Sequence, residues 1–161
     1  MEVEMKIKFK NKKTFTIIII VILSLFFLVG HNITKTNGAN GSSTSDVQLL
    51  ARAINGEARG ESYEGQVAVG AVILNRVKSS KFPNSIAGVI YQPGAFTAVS
   101  DGQINVPIDK NATVVKAAQD ALNGWDPTNG AIYYFNPDTA TSSWIWSRPY
   151  IKTIGKHRFC K

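Results

Sequence analysis

Ala51-Arg52-Ala53-Ile54-Asn55-Gly56-Glu57-Ala58-Arg59-Gly60-Glu61 is the stretch on which the reading of this chain turns. It closes a segment beginning near Asp46 in which Val47, Leu50, Ala51 and Ile54 recur at helical spacing, so one face of the predicted helix is apolar and buried. Glu57 stands three residues after Ile54 and seven after Leu50, which sets it on that apolar stripe. A carboxyl group withdrawn from water favours its protonated form and can deliver the proton to a leaving oxygen. Gly56 and Gly60 bracket it, marking the helix end and allowing close approach by another backbone or a ligand. A structural pairing of Glu57 with Arg52 or Arg59 at a fraying helix end fits the same spacing, and spacing alone slightly favours it.

Downstream, Tyr63 to Val77 is apolar nearly all round, as the central helix of a core would be. Gly65 and Gly70 leave room there for neighbouring helices. A short helical turn is predicted over Ser85–Tyr91, and Gln92 to Asp109 reads as loop with little regular structure. A third helix follows Asn111 as N-cap, with Val114, Ala117, Ala118, Ala121 and Leu122 inward and Gly124 ending it. Ala131–Phe135 has strand composition, Asn136-Pro137-Asp138 is a turn, and Trp144–Trp146 and Thr153–Phe159 are candidate short strands. Helices followed by short strands predict an α+β domain.

Upstream, a lysine-rich run (Lys6 to Lys13) precedes an apolar block, Phe15 to Gly30, which Thr16 and Ser24 alone interrupt. That pattern suits an export signal or an N-terminal membrane anchor, with the lysines cytoplasmic and the domain outside. Its 16 residues lie between a signal-peptide core and a full span of about 20. The absence of a clear cleavage site favours an uncleaved or slowly cleaved anchor. Asn37 to Ser45 has linker composition, and Ser45 or Asp46 is the expected N-cap of the helix carrying Glu57. The organisation is therefore a signal or anchor at 1–30, a linker at 31–45 and one domain at 46–161.

The net charge of +7 divides unevenly. Residues 1–45 hold six lysines against two glutamates, so the domain itself carries a mild +3. This suits an anionic polymer and removes the main support for nucleic-acid binding. A single cysteine, Cys160, excludes an intrachain disulfide. His157 is the domain's one histidine, and with no His-x-x-x-His or Cys-x-x-Cys no metal site is built. Neither Gly-x-Ser-x-Gly nor a phosphate-cradling glycine motif occurs.

Aromatic residues concentrate in the C-terminal half, several beside amides and hydroxyls, as in Tyr134-Phe135-Asn136 and Thr141-Ser142-Ser143-Trp144. Such surfaces suit sugar rings, which present apolar faces rimmed by hydroxyls. Core packing accounts for any single one of these aromatics; it accounts less well for the cluster. In an extended segment Trp144 and Trp146 would share one face. Asp101 reads equally as a turn residue or a substrate contact. Glu61 and Glu64 have structural readings, in a glycine-flanked connection and a first helical turn respectively.

Taken in order, Asn55-Gly56-Glu57-Ala58-Arg59-Gly60-Glu61, Glu64-Gly65-Gln66-Val67-Ala68-Val69 and Val72-Ile73-Leu74-Asn75-Arg76-Val77 resemble the spore cortex-lytic, SleB-type cell wall hydrolases. So do Pro93-Gly94-Ala95-Phe96-Thr97-Ala98-Val99, Tyr133-Tyr134-Phe135-Asn136-Pro137 and Ile154-Gly155-Lys156-His157-Arg158-Phe159. The resemblance implies a lysozyme-like α+β fold, a mainly helical lobe with a small β-hairpin and loop lobe. It implies a lytic transglycosylase that cuts peptidoglycan glycan strands outside the cytoplasm, in wall or spore cortex, as a monomer and without cofactor. The family's catalytic glutamate falls on Glu57, and Phe96-Thr97 and Tyr134-Phe135-Asn136 would line the groove. With Asp101, Trp144 and Trp146 these complete the candidate substrate contacts. A separate peptidoglycan-binding module, present in longer family members, does not fit into residues 31–45, so targeting would rest on the membrane segment. A non-catalytic, membrane-tethered peptidoglycan-binding module and a two-carboxylate muramidase are the competing readings.

Overall fold

The structure, a computed structural model, describes residues 44–161. The predicted signal or anchor and all but the end of the linker lie outside the described residues. Helix α1 spans Thr44–Ala58 and buries Leu49, Leu50, Ala51, Ala53, Ile54 and Ala58, the stripe expected from spacing. It begins earlier than predicted, so Ser45 and Asp46 sit within its first turn instead of capping it. Helix α2, Tyr63–Lys78, is buried continuously from Gly65 to Ile73 and runs through the centre of the domain. Ser62 caps it, its Oγ accepting the Gly65 N–H at 3.2 Å, and Glu64 and Lys78 complement the helix dipole at its two ends.

Short helices α3 (Ile86–Ile90) and α4 (Thr97–Ser100), then a 3₁₀ turn at Gln103–Asn105, lead to α5 (Thr113–Leu122). The region predicted as loop is therefore partly helical. Phe96, Ala98 and Ile104, each under 5 % exposed, pin it to the core, an anchoring that its glycine and proline content obscured. The N-cap of α5 is Ala112, one residue later than expected. Asn111 is instead part of a turn in which its N–H donates to Asp109 Oδ1 at 2.7 Å.

Where α1, α2 and α5 meet, a Cβ on Gly70 would stand 3.0 Å from Ile54 Cδ1 and 3.1 Å from Ala121 Cβ, the close approach expected of that glycine. Gly65 faces its own N-terminal turn, at Glu61, and not another helix. Tyr63 OH donates to Asp120 Oδ2 at 2.5 Å and ties α2 to α5. Burial, with the Asp120 hydrogen bond, pushes that phenol up to about 12.

The small lobe is an antiparallel sheet of order β1-β3-β2, with β1 Tyr133–Phe135, β2 Tyr150–Ile154 and β3 His157–Cys160. Tyr134 lies opposite Phe159 and Ile154 opposite His157, with a bulge between Tyr150 and Lys152. Ile154 and Phe159 pack with Ala131 onto Ala68 and Val72 of α2, which fastens the sheet to the helical lobe. Trp144–Trp146, predicted as strand, is the helical turn α6 (Ser143–Trp146). Both tryptophans nevertheless stack on β1, Trp144 on Tyr133 at 5.1 Å and Trp146 on Phe135 at 4.9 Å, because Tyr133 and Phe135 share a strand face.

Asp126 organises the connection from α5 to β1. Its Oδ1 accepts from Thr128 N–H (2.8 Å) and Oγ1–H (2.6 Å), and its Oδ2 from Asn75 Nδ2 (2.9 Å) and Gly130 N–H (2.9 Å). Burial alone would raise its pKa, but these bonds together outweigh burial and hold it below the ordinary carboxylate value. A depressed native pKa contributes stability that is present above the unfolded value, about 3.9, and is lost as pH falls through the native one. Asp126→Ala should cost on the order of 2–4 kcal/mol in urea unfolding at pH 7. In Asp126→Asn the loss of stability below about pH 4 should be shallower than in the parent. Equal acid slopes would mean that Asp126 does not carry this linkage.

Candidate active site

The C-terminal turn of α1 meets the N-terminus of α4 with almost no separation. A Cβ on Gly56 would collide with Ala98 Cβ, so only glycine allows the two backbones this close. The contact brings the Ala98 N–H to 2.8 Å from Glu57 Oε1. From the other side, Tyr134 OH on β1 donates to Glu57 Oε2 at 3.0 Å. Glu57 is half-buried and held at both oxygens by donors 41 and 77 residues away in sequence. Arg59, a pairing candidate from sequence, donates from Nη1 to Gln103 Oε1 at 3.2 Å.

Tyr134 is half-buried, packed against His157 and Phe159, ring centroids 5.0 and 6.0 Å away. Burial first, then the neighbouring Glu57, pushes its phenol well above the usual value, so it stays protonated and donates. His157 is itself buried, which lowers its pKa, while Glu61 and Glu57 pull it back up. Glu61 Oε2 accepts the Lys156 N–H at 3.0 Å, and its oxygen fills the space where a Cβ of Gly155 would stand.

Beside the Glu57–Tyr134 pair opens a cavity of about 440 Å³. Phe82, Tyr133, Tyr134, Trp144 and Gln92-Pro93-Gly94-Ala95 line it, with Arg76 at its wall. Arg76, 8 % exposed, donates from Nε to the Ile132 carbonyl at 2.7 Å. Its guanidinium carbon lies 5.1 Å from the Phe96 ring centroid, 5.4 Å from Phe82 and 5.7 Å from Tyr133. Desolvation lowers its pKa, and the nearby Tyr134, Tyr133 and Glu57 oppose that shift; the guanidinium remains a cation.

The candidate residues named from sequence thus separate. Glu57, Tyr134 and Trp144 gather at one place, Glu57 and Tyr134 as a hydrogen-bonded pair and Trp144 on the cavity wall beside Tyr134. Phe96 is buried beneath Arg76, so its ring reaches a ligand only through the guanidinium. Thr97 is exposed at the start of α4. Asp101 is exposed and its Oδ1 accepts the Gln103 N–H at 3.0 Å, the turn role. Asn136 closes its own turn, its Oδ1 accepting the Asp138 N–H at 3.0 Å. Trp146, 46 % exposed, stacks on Phe135 and is not among the residues lining the cavity. Two contributors were missed from sequence. The Ala98 N–H is a backbone donor with no side-chain signature. Arg76 did carry one, a cation on a helix that is apolar all round, which implies burial.

Residues 60–160 match the family described as Cell Wall Hydrolase, and the chain belongs to that family. Among curated relatives, it is 65 % identical over 126 residues to a spore cortex-lytic enzyme of Bacillus cereus, covering 78 % of this chain and 48 % of the relative. To the spore cortex-lytic enzyme of Bacillus subtilis it is 63 % identical over 125 residues, covering 78 % of this chain and 40 % of the relative. It therefore spans about half the length of the curated relatives it matches. The solved catalytic domain of the germination-specific lytic transglycosylase SleB from Bacillus anthracis superposes with a TM-score of 0.72 at 64 % identity, covering 76 % of this chain and 98 % of that one. Helical bulk with a small sheet is thus the architecture this chain shares with its solved relatives.

Proposed function

We propose that this chain is a lytic transglycosylase that cleaves peptidoglycan glycan strands between N-acetylmuramic acid, or muramic lactam of spore cortex, and N-acetylglucosamine. Spore cortex lysis during germination is the proposed setting. The observation that carries this reading is the carboxyl group of Glu57, fixed at both oxygens by Ala98 N–H and Tyr134 O–H beside an aromatic-walled cavity. The names of the relatives agree with it.

Protonated Glu57 gives its proton to the glycosidic oxygen as the C1–O4 bond breaks. The C6 hydroxyl of the same muramoyl sugar then closes on C1 and returns its proton to Glu57. The product has a 1,6-anhydro end and the acid is regenerated, with no cofactor called upon. Each Glu57 oxygen has two lone pairs and spends one on its donor, so proton exchange leaves the clamp in place. Residues 46–161 form the catalytic domain, delivered outside the cytoplasm by the signal or anchor at 1–30 through the linker at 31–45. It acts as a lysozyme-like monomer on the glycan strand, with the membrane as its tether.

A hydrolysing route is the second reading. Glu61 and Glu57 both act on the buried His157, which makes Glu61 the candidate for a second carboxylate.

Incubating the full chain with purified vegetative and cortex peptidoglycan tests the reaction class. Release of soluble glycan fragments, unchanged by a chelator, is expected. Binding without release would overturn the enzyme reading and favour a wall-binding module; chelator-sensitive release of peptides would indicate an amidase.

A further inference from the structure

Arg76 is a buried cation held by aromatic rings and the nearby Glu57, but its hydrogen-bonding capacity is largely unspent. Three aromatic rings cage the guanidinium, and among the described residues its one hydrogen bond is from Nε to the Ile132 carbonyl. Both Nη groups are left without an acceptor, yet Arg76 lines the cavity. A guanidinium carries five donors in a planar fork, and those on the two Nη groups are not among the fully buried unpaired atoms, so they are open to a partner in the cavity. The same geometry, completed by an incoming oxygen, makes a strong and directional contact.

The cavity also limits what can enter. Tyr133 and Trp144 meet edge to face on one wall, and Phe82 lies close to Tyr133, at 6.1 Å between centroids. These surfaces accept the apolar face of a sugar ring. Tyr134 belongs both to the cavity and to the Glu57 clamp, so a ring seated there lies against the residue that holds the acid.

We propose that Arg76 is a substrate-binding residue that takes an acyl oxygen carried by the sugar, an acetamido or lactam carbonyl, and that this contact sets the register of the strand at Glu57. The proposal rests on the glycan-cleaving reading for its purpose, but its test does not require turnover. A strand unit bearing a hydroxyl where the acyl group would be fills the aromatic walls and leaves the guanidinium unmatched. Selectivity therefore comes from Arg76, and ring affinity from Tyr133 and Trp144.

The test is calorimetric titration of the full chain with chitotriose and with cellotriose, which differ in the acetamido group. The parent protein should prefer chitotriose by about tenfold to a hundredfold, as sites built to match a polar group do. Arg76→Lys should bring that ratio to about threefold or less while cellotriose affinity stays within about twofold, since a lysine lacks the fork. A parent with no preference for chitotriose overturns the proposal without any variant, so an Arg76→Lys protein that fails to fold does not protect it. A folded Arg76→Lys with the parental ratio overturns it too. If the ratio behaves as expected but peptidoglycan is not cut, the binding assignment stands and the catalytic reading fails.

Discussion

Glu57→Gln should lower glycan release from peptidoglycan by about 10³-fold or more, with a change in melting temperature of no more than a few degrees. The amide keeps the shape of the carboxyl. Its oxygen can still accept from Ala98 N–H, and Tyr134 can turn its hydroxyl to accept from the amide nitrogen. What the variant lacks is a transferable proton, so it separates chemistry from folding. Binding to peptidoglycan should persist within about threefold, because the aromatic cavity and Arg76 are untouched. Parental turnover in Glu57→Gln would remove Glu57 from the mechanism; a collapse of stability would recast it as a structural carboxylate.

Gly56→Ala should also lower activity strongly, although the residue touches no substrate. The added methyl collides with Ala98 Cβ, and Ala98 Cα and Gln103 Cβ crowd the same space, each at 3.3 Å. Relief requires α1 and α4 to separate, which withdraws the Ala98 N–H from Glu57. Overpacking of this kind costs about 1–3 kcal/mol, or roughly 4–12 °C in Tm for a domain of this size. Displacing a catalytic group by about 1 Å can cost 10²-fold in rate, and that is the expected loss in turnover. Gly60→Ala is the internal control, because a Cβ there meets nothing within 4 Å. Equal activity in the two variants would mean that the α1–α4 contact does not position the acid.

The helical half of the domain was legible in the sequence because long amphipathic segments carry their burial in their spacing. α1 and α2 follow the stripe and the apolar run, and Glu57 could be singled out because it continued a stripe that buries Leu50 and Ile54. Short elements carry too few residues for a period to register. α4 and α6 are four residues each, and their position is set by Phe96 and Ala98 entering the core and by the tryptophans stacking on β1. Trp144 and Trp146 were expected to share one face of a strand; they lie instead in a helical turn and stack on different residues of β1, Tyr133 and Phe135. The partners of Glu57 were legible only in part. Tyr134 stood out as an aromatic beside an amide, but nothing local links it to a residue 77 positions earlier. The Ala98 donor depends on Gly56, which was read both as a helix-end signal and as room for another backbone; it lies inside α1, and the backbone it admits is that of α4.

In the proposed reaction one carboxyl group, Glu57, both donates and recovers the proton. The mass of the released glycan ends tests it most directly. Full chain acting on purified peptidoglycan should yield muramoyl ends one water lighter than hydrolysed ones, the 1,6-anhydro product, and Glu61→Gln should yield the same ends. Reducing ends carrying the added water, lost in Glu61→Gln, would contradict the account and establish a two-carboxylate hydrolase.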